Sequence, residues 1–304
     1  MKRFAAIDIG SNSLLLYIAV KDEEGNFQPI IDRSEITRLG EGIYKTGLLN
    51  PDSMRRSLDV IKEFMEIAQL NNTEGNVAVG TMALRTARNS SEFISEVKNT
   101  TGLDIEVISG EEEARLSFIG ARQGLEIKDN DILVFDTGGG STEFILGTGD
   151  MIIDKLSINI GAIRITEDYL SKIPVSVSAL HHAELYISGE IGDIEKLFTF
   201  GELIGIGGNV SNIASVKHNL KVYNSDVVHN SKITNGDLNS QIELFSSKSL
   251  EERKRIVGLQ PKRADVILAG ALIIKVIMEK LKRTSFIVSD KGLRHGLIFD
   301  RFGY

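Results

Sequence analysis

One sequence pattern occurs twice in this chain, as AIDIGSNS at residues 6–13 and as VFDTGGGST at residues 134–142. In each copy an apolar strand ends in Asp, and glycine and hydroxyl-bearing residues then lead into a second apolar strand. Glycine lets backbone N–H groups come close to a phosphate, and an Asp at the strand end can hold a divalent cation against that phosphate. Two copies therefore predict an internal duplication, with a phosphate chain bound between the halves.

Length and composition allow two ordinary globular domains. The chain has 304 residues, of which 42% are hydrophobic and 25% charged, which is enough for two separate cores. The net charge of −7 argues against a general nucleic-acid-binding protein, for which a basic domain is expected. Any positive groove for a polyanionic substrate has to be local.

The sequence also excludes several chemistries and locations. It contains no cysteine, so disulfides, thiolate metal sites and thiol nucleophiles are ruled out. The N-terminus runs directly into a strand without the apolar region of a signal peptide. The apolar segment 266–274 is interrupted by Lys275 and is too short to cross a bilayer. These features predict a cytoplasmic protein without a membrane partner, in which 266–274 belongs to a buried helix.

Hydrophobic periodicity predicts the same start for both halves of the chain. The first half has three strands followed by a helix over 51–70 that begins at a proline. The second half again starts with three strands, and we expect helices over 210–219 and 262–282, with mostly loop and one short helix over 224–254. The predicted domains are 1–124 together with about 294–304, and 125–293, with a cleft between them.

Two charged segments lie where a predicted strand turns into a helix. In 108–116, ISGEEEARL, three acidic residues either favour a helix N-terminus through the helix dipole or supply a general base for water attacking a phosphoryl group. In 80–89, Arg85 and Arg88 are either surface charges or include one guanidinium that grips phosphate oxygens. The carboxyl edge of a sheet is where α/β proteins bind ligands.

A third glycine-rich segment, GIGGNVS at 205–211, leads into a helix. It suits a phosphate or nucleotide at the helix N-terminus, but tight packing of a strand against a helix explains it equally well. The two early loops do not follow the dinucleotide fingerprint G-x-G-x-x-G, and a Walker lysine is absent. The histidines show no metal-site spacing.

Several of these segments together resemble one known family. DIGSNS at 8–13, LRTARN at 84–89, ISGEEEAR at 108–115 and DTGGGSTE at 136–143 occur in order. They are similar to the exopolyphosphatase/guanosine pentaphosphate phosphohydrolase (Ppx/GppA) family, and further similarity extends over 157–164, 205–209, 263–267 and 290–296. The resemblance implies an α/β protein with the duplicated actin-like, ribonuclease-H-like fold. It also implies hydrolytic removal of a terminal phosphate with Mg²⁺, and it allows a monovalent cation such as K⁺ as a second cofactor.

The resemblance assigns roles to individual residues. Glu113 matches the catalytic base and Arg85 the arginine that grips phosphate. Asp136 and Glu143 match the acidic metal-site residues, and Asp8 is a further candidate for that site. The residues expected to cradle phosphates are those of the three glycine-rich segments: Gly10, Ser11, Asn12, Ser13, Gly138, Gly139, Gly140, Ser141, Thr142, Gly207 and Gly208.

The chain departs from the family pattern in two places. Asn209 stands where a threonine is usual, and residues 294–296 read Arg-His-Gly where Arg-Glu-Gly is usual. The chain also ends at 304 without the C-terminal helical domains of longer members, which together with its acidic charge favours short phosphate chains or a nucleotide.

The sequence leaves the substrate open. We expect a hydrolase of inorganic polyphosphate, with guanosine pentaphosphate as the alternative substrate. A sugar kinase fits less well, because the segment SGEEEA at 109–114 suits hydrolysis better. A non-catalytic alarmone sensor also fits less well, because the set of carboxylates is intact. The family also suggests a homodimer.

Overall fold

The chain forms two compact units, each an α/β structure. The computed structural model describes residues 1–25, 27–125, 127, 131–149, 151–172 and 174–303. Unit 1 comprises Met1–Gly120 and the C-terminal segment that begins at Leu293, and unit 2 comprises Ala121–Gly292. The predicted α/β class is confirmed, because each unit places helices around its own mixed sheet.

Unit 1 contains a sheet in the order β3-β2-β1-β4-β5. Its elements are β1 (Lys2–Ile9), β2 (Ser13–Lys21), β3 (Phe27–Ile36), α1 (Ile43–Thr46), α2 (Pro51–Leu70), β4 (Gly75–Gly80), α3 (Met82–Thr86), α4 (Ser90–Thr101), β5 (Ile105–Val107), α5 (Gly110–Arg122) and, at the C-terminal end, α13 (Leu293–Phe302). The first three strands are antiparallel, and β4 and β5 run parallel to β1.

Unit 2 contains a sheet in the order β10-β11-β9-β6-β7-β8. Its elements are β6 (Ile132–Thr137), β7 (Thr142–Thr148), β8 (Met151–Ile158), α6 (Ala162–Tyr169), α7 (Val177–Ile191), β9 (Glu202–Ile206), α8 (Gly207–Lys217), α9 (Ser225–Val228), β10 (Lys232–Thr234), α10 (Asn235–Ser246), α11 (Leu250–Arg253), α12 (Ile267–Lys280) and β11 (Ser285–Val288). Strands β6, β7 and β8 are antiparallel, and β9 and β11 run parallel to β6.

The two sheets repeat one topology. Read from its outer edge, β8-β7-β6-β9-β11 reproduces β3-β2-β1-β4-β5 in both order and direction. The predicted duplicated, ribonuclease-H-like fold is therefore confirmed. The two glycine-rich segments occupy the same place in each copy, the turn between the first and second strands.

Helix α2 shows why one prediction matched the structure residue by residue. The side chain of Asn50 accepts a hydrogen bond from the N–H of Asp52 and caps the helix, and Pro51 takes the first helical position, where its missing N–H costs nothing. Leu58, Ile61 and Phe64 follow at helical spacing and are buried. The cap and the apolar face together fix both the start and the orientation of the helix.

Two predicted helix boundaries and one predicted loop segment in unit 2 are wrong. Helix 262–282 is instead a 3₁₀ turn at Pro261–Arg263 followed by α12, and α8 begins at Gly207 rather than at 210. The segment 224–254 is not mostly loop, because it contains α9, β10, α10 and α11. Capping boxes at Thr234 and Ser249 start α10 and α11. They stabilise the helix starts in a segment whose polar composition is typical of a loop.

The apolar segment around 266–274 forms part of a core helix. Ile267–Ile274 are all buried within α12, which lies in the hydrophobic core of unit 2. Of the helices in the described ranges, none combines the length and apolar character needed to cross a bilayer.

Candidate active site

In unit 1, the turn at 10–13 presents unused backbone donors. The N–H of Gly10 donates to the carbonyl of Ser13 at 3.1 Å, and a Cβ on Gly10 would lie 2.8 Å from that oxygen. The carbonyls of Ser11 and Asn12 accept hydrogen bonds from segment 37–40. Within the described ranges, the N–H groups of Ser11 and Asn12 donate to no protein acceptor. The turn therefore leaves two adjacent donors available to an anion.

The equivalent turn in unit 2, at 138–142, is supported by a helix. Gly138 N–H donates to the carbonyl of Ser141 at 2.9 Å, and the first N–H groups of α6, from Ala162 and Ile163, donate to the carbonyls of Gly138 and Gly139 at 3.0 and 2.9 Å. With the carbonyls turned towards α6, the N–H groups of Gly139 and Gly140 have no protein acceptor in the described part of the chain. This turn also offers adjacent backbone donors.

Gly161 is where this support is most sensitive to substitution. A Cβ there would lie 2.2 Å from the carbonyl carbon and oxygen of Gly139, so Gly161→Ala has to push turn 138–142 away from α6. We expect a loss of about 1–3 kcal/mol in the free energy of unfolding, measured by urea denaturation. Gly189→Ala is the matched control: Gly189 lies in α7, and no neighbouring atom of the described residues lies within 4 Å of the added methyl group. That control should stabilise the protein by about 0.5–1 kcal/mol, and equal effects of both variants would contradict the packing argument.

Two carboxylates of unit 2 lie opposite each other on neighbouring strands of the sheet. Asp136 and Glu143 are directly paired in the register of β6 and β7, so both side chains lie on one face, where like charges destabilise the sheet. The hydroxyl of Ser157 donates to Oε1 of Glu143 at 3.2 Å. Gly207, with φ +87°, leaves room for Asp136, whose Oδ1 would lie 2.2 Å from a Cβ at that position. A cation bound between the carboxylates would relieve their repulsion.

Asp8 occupies the position in unit 1 that matches Asp136, but its surroundings differ. Its register partner in β2 is Leu15, where Asp136 has Glu143. The Asp8 side chain is buried, and within the part of the chain that the structure describes its Oδ1 has no hydrogen-bond partner. The pKa of Asp8 is raised to about 7, chiefly by burial and also by the negative charge of Glu113, while the positive charge of Arg294 opposes the shift. The duplication therefore gives one carboxylate pair and one isolated buried carboxyl group.

Glu113 and Arg85 form a pair at the start of α5. The hydroxyl of Ser109 accepts a hydrogen bond from the N–H of Glu112 at 3.1 Å, and this capping contact fixes the first turn of α5. Arg85 Nη1 donates to Glu113 Oε2 at 3.1 Å and to the carbonyl of Ile108 at 2.9 Å. Burial raises the pKa of Glu113 above its ordinary value, although Arg85 lowers it. A carboxylate of raised pKa is a better proton acceptor near neutral pH.

The structure distinguishes Arg85 from Arg88. Arg88 Nη2 donates to the carbonyl of Thr46 at 2.9 Å, and its guanidinium lies against Gly47. Arg88 thus stabilises the end of α1, while Arg85 pairs with Glu113. The negative charge of Glu113 in turn contributes to the raised pKa of Asp8.

The third glycine segment surrounds an arginine that the sequence analysis did not single out. Gly207 and Gly208 form the first turn of α8, and a Cβ on Gly208 would lie 2.2 Å from the guanidinium of Arg263. Burial lowers the pKa of Arg263, and the negative charges of Asp136 and Asp265 oppose that shift. In the sequence, Arg263 was marked only by the family similarity over 263–267. No local pattern indicated that it would lie against Gly208.

Both departures from the family pattern are structurally accommodated. Asn209 Nδ2 donates to the carbonyl of Thr137 at 2.7 Å, so this amide ties α8 to the end of β6. Arg294 donates two hydrogen bonds of 2.8 Å to Asp32, and His295 Nε2 lies 3.3 Å from the same carboxylate. Although burial raises the pKa of Asp32, Arg294 and His295 outweigh burial and hold it well below its usual range. His295 thus has an acidic partner in this chain.

Comparison with known proteins identifies the family of this duplicated fold. The model of the Ppx/GppA phosphatase family matches residues 17–304. The chain belongs to the Ppx/GppA phosphatase family. Its carboxylates and glycine turns lie in a fold that this family shares, as a solved structure shows: the crystal structure of the Aquifex aeolicus Ppx/GppA family member is 32% identical, covers 98% of this chain and 97% of its own, and has a TM-score of 0.85.

Two curated relatives extend the comparison. The bifunctional 3-dehydroquinate synthase/phosphatase of Fusobacterium nucleatum is 35% identical over 97% of this chain, which spans 46% of that longer protein. Exopolyphosphatase 2 of Mycobacterium tuberculosis is 27% identical over 100% of this chain and 99% of its own length. The chain thus corresponds to about half of one relative and to nearly all of the other.

Proposed function

We propose that this member of the family is an exopolyphosphatase, which hydrolyses the terminal phosphoanhydride bond of inorganic polyphosphate with Glu113 as general base. The observation that carries the proposal is the Glu113–Arg85 pair. Glu113 lies in the first turn of α5, and its carboxylate, whose pKa is raised, forms an ion pair with the guanidinium of Arg85. A proton acceptor and a phosphate-binding cation are therefore held together. Exopolyphosphatase 2, which matches this chain along its full length, supports polyphosphate as the substrate.

The backbone donors of the two glycine turns support phosphate binding. Turns 10–13 and 138–142 each present consecutive N–H groups that no protein acceptor in the described ranges uses. Such donors bind phosphate oxygens without the charge of a lysine, and they are rigid, because segment 37–40 and α6 hold the carbonyls on the other side.

The carboxylates fit a magnesium ion. Asp136 and Glu143 form a facing pair of oxygen ligands within unit 2. In unit 1, Oδ1 of Asp8 is buried and has no hydrogen-bond partner among the described residues. Within the described residues no three His, Asp or Glu side chains are grouped as a complete metal site. Mg²⁺ commonly takes one or two protein carboxylates and fills its shell with water and substrate phosphate oxygens. Bound there, the ion would neutralise phosphate charge as the reaction proceeds.

In the proposed reaction the residues act on a single water molecule. Glu113 accepts a proton from the water, whose oxygen bonds to the terminal phosphorus as the bridging P–O bond breaks. Orthophosphate and a chain shortened by one phosphate leave. Arg85 holds oxygens of the transferred group through its fork of N–H donors. Positioning and electrostatic stabilisation supply most of the rate in such phosphoryl transfers.

Guanosine pentaphosphate is the second candidate substrate. A relative from Photobacterium profundum, 29% identical to this chain, is named guanosine-5′-triphosphate,3′-diphosphate pyrophosphatase. The same turns and carboxylates would act on the 5′-terminal phosphate of that nucleotide. The two proposals share every catalytic residue, so substrate competition separates them.

Removal of divalent cations tests the metal proposal. With the protein dialysed against a chelator, phosphate release should fall at least about 10²-fold and return on addition of Mg²⁺. Asp136→Asn should raise the Mg²⁺ concentration needed for half-maximal activity, and isothermal titration should show weaker Mg²⁺ binding independently of turnover. Undiminished release in excess chelator would contradict the role of a metal.

A further inference from the structure

The segment that follows β3 is folded onto turn 10–13. The carbonyl of Asn12 accepts hydrogen bonds from the N–H groups of Thr37 and Arg38 at 3.1 and 3.0 Å, and the carbonyl of Ser11 accepts one from Gly40 at 2.8 Å. Thr37 and Leu39 are buried, with 2% and 0% of their surfaces exposed, whereas Arg38 between them is exposed. The chain therefore presents one cationic side chain next to the turn with unused N–H donors.

Arg38 has a backbone conformation that its residue type disfavours. Its φ is +53°, and the other non-glycine residues with positive φ in the described ranges are Asn72, Asn219, Asn230 and Lys282. Each of those four lies two residues after the last residue of a helix, where the left-handed conformation ends the helix. Arg38 follows a strand instead. Helix termination therefore does not account for its conformation, which costs about 1–2 kcal/mol for an L-residue.

The surrounding structure enforces this conformation. Arg56 donates from Nε and Nη2 to the carbonyl of Thr37 at 3.2 and 3.1 Å and pairs with Glu41 at 3.2 Å. The N–H of Glu41 donates to the carbonyl of Arg38 at 3.0 Å. Both peptide groups that flank Arg38 are thus fixed, although glycine or asparagine would adopt the conformation at lower cost. Strained residues held in this way are concentrated at ligand sites.

We propose that Arg38 is a further substrate-binding residue, whose guanidinium binds oxygens of the phosphate chain held at turn 10–13. The inference rests on the proposed function for the nature of the ligand. An arginine fork suits two phosphate oxygens at once. The bond from the N–H of Arg38 to the carbonyl of Asn12 holds the backbone of residue 38 against the turn that carries the unused N–H groups of Ser11 and Asn12.

Substitution by glycine separates binding from structure. Arg38→Gly relieves the left-handed strain, so its midpoint of thermal unfolding should equal or exceed that of the wild type. Affinity for tripolyphosphate, measured by isothermal titration in a Glu113→Gln background that removes turnover, should fall about 10-fold or more. In the otherwise wild-type enzyme the same change should raise KM and leave kcat nearly unchanged. Arg38→Lys should give an intermediate affinity.

Arg55→Ala is the matched control, because Arg55 is exposed on α2 of the same unit and, among the described residues, forms an ion pair only with Asp52 one helical turn away. It removes the same charge and should leave affinity unchanged. The inference is overturned if Arg38→Gly binds tripolyphosphate normally, if it lowers the unfolding midpoint instead, or if Arg55→Ala weakens binding equally. Binding without hydrolysis in the wild type would overturn the proposed function alone, because the affinity comparison still decides the role of Arg38. Absence of tripolyphosphate binding in the wild type would overturn the inference as well.

Discussion

Glu113→Gln should lower the turnover number for phosphate release by about 10²–10⁴-fold while leaving substrate binding largely intact. The amide keeps the size of the side chain and its place beside Arg85, which holds the carboxylate at 3.1 Å. It cannot accept a proton from water. Initial rates over a range of polyphosphate concentrations would show the loss in kcat with little change in KM.

The pH dependence of the wild type gives a second readout of Glu113. Because burial raises the pKa of this carboxyl group, activity should fall with decreasing pH at a higher pH than an ordinary glutamate would allow. Below that pKa the group is protonated and cannot act as a base.

Glu112→Gln is the matched control for this substitution. Glu112 lies in the same turn of α5, but its carboxylate binds Arg115 at 2.7 and 2.9 Å rather than Arg85. This control should retain most of the activity. A Glu113→Gln protein as active as the Glu112→Gln protein would rule out Glu113 as the general base.

The second large effect concerns stability. Asp8→Asn should make the protein more stable than the wild type above pH 7 in the presence of chelator. Folding raises the pKa of Asp8 from 3.8 to about 7, so the folded state favours the neutral carboxyl group. The resulting penalty is absent below pH 3.8, grows as the pH rises, and reaches its full size of about 4 kcal/mol above pH 7. Asparagine carries no charge at any pH.

Thermal unfolding at two pH values measures this effect. At pH 8 the unfolding midpoint of Asp8→Asn should exceed that of the wild type by about 5–10 °C, and the two should coincide near pH 4. Added Mg²⁺ should stabilise the wild type more than the variant if Asp8 contributes to a cation site. A variant that is less stable at pH 8 would show that the Asp8 carboxylate is already compensated within the folded protein.

Features encoded by neighbouring residues could be predicted from the sequence. Asn50 and Pro51 mark the start of α2 because capping and proline geometry act locally. The repeated Asp-x-Gly pattern located equivalent turns in both sheets, because a glycine such as Gly10 is required by contacts within its own turn.

Features that depend on distant contacts could not be predicted. The choice between Arg85 and Arg88 depends on the carbonyl of Thr46, which binds Arg88 from 42 residues away. Arg294 finds its partner Asp32 across 262 residues of sequence. The left-handed conformation of Arg38 is likewise held by the bond from its N–H to Asn12 and by the bonds from Arg56 to Thr37, which local propensity does not encode. Such pairings are set by tertiary packing, and a single sequence contains no pattern for them.

The most direct test of the account is phosphate release with Mg²⁺ from polyphosphates of several lengths, guanosine pentaphosphate and ATP, measured for the wild type and for Glu113→Gln in parallel. We expect release from polyphosphate that depends on chain length, with no phosphate acceptor present, and its loss in the variant. Turnover of guanosine pentaphosphate alone would replace polyphosphate by the nucleotide as substrate and leave the catalytic residues in place. No release from any of these substrates, with phosphate compounds bound but unchanged, would contradict a hydrolase and favour a sensor.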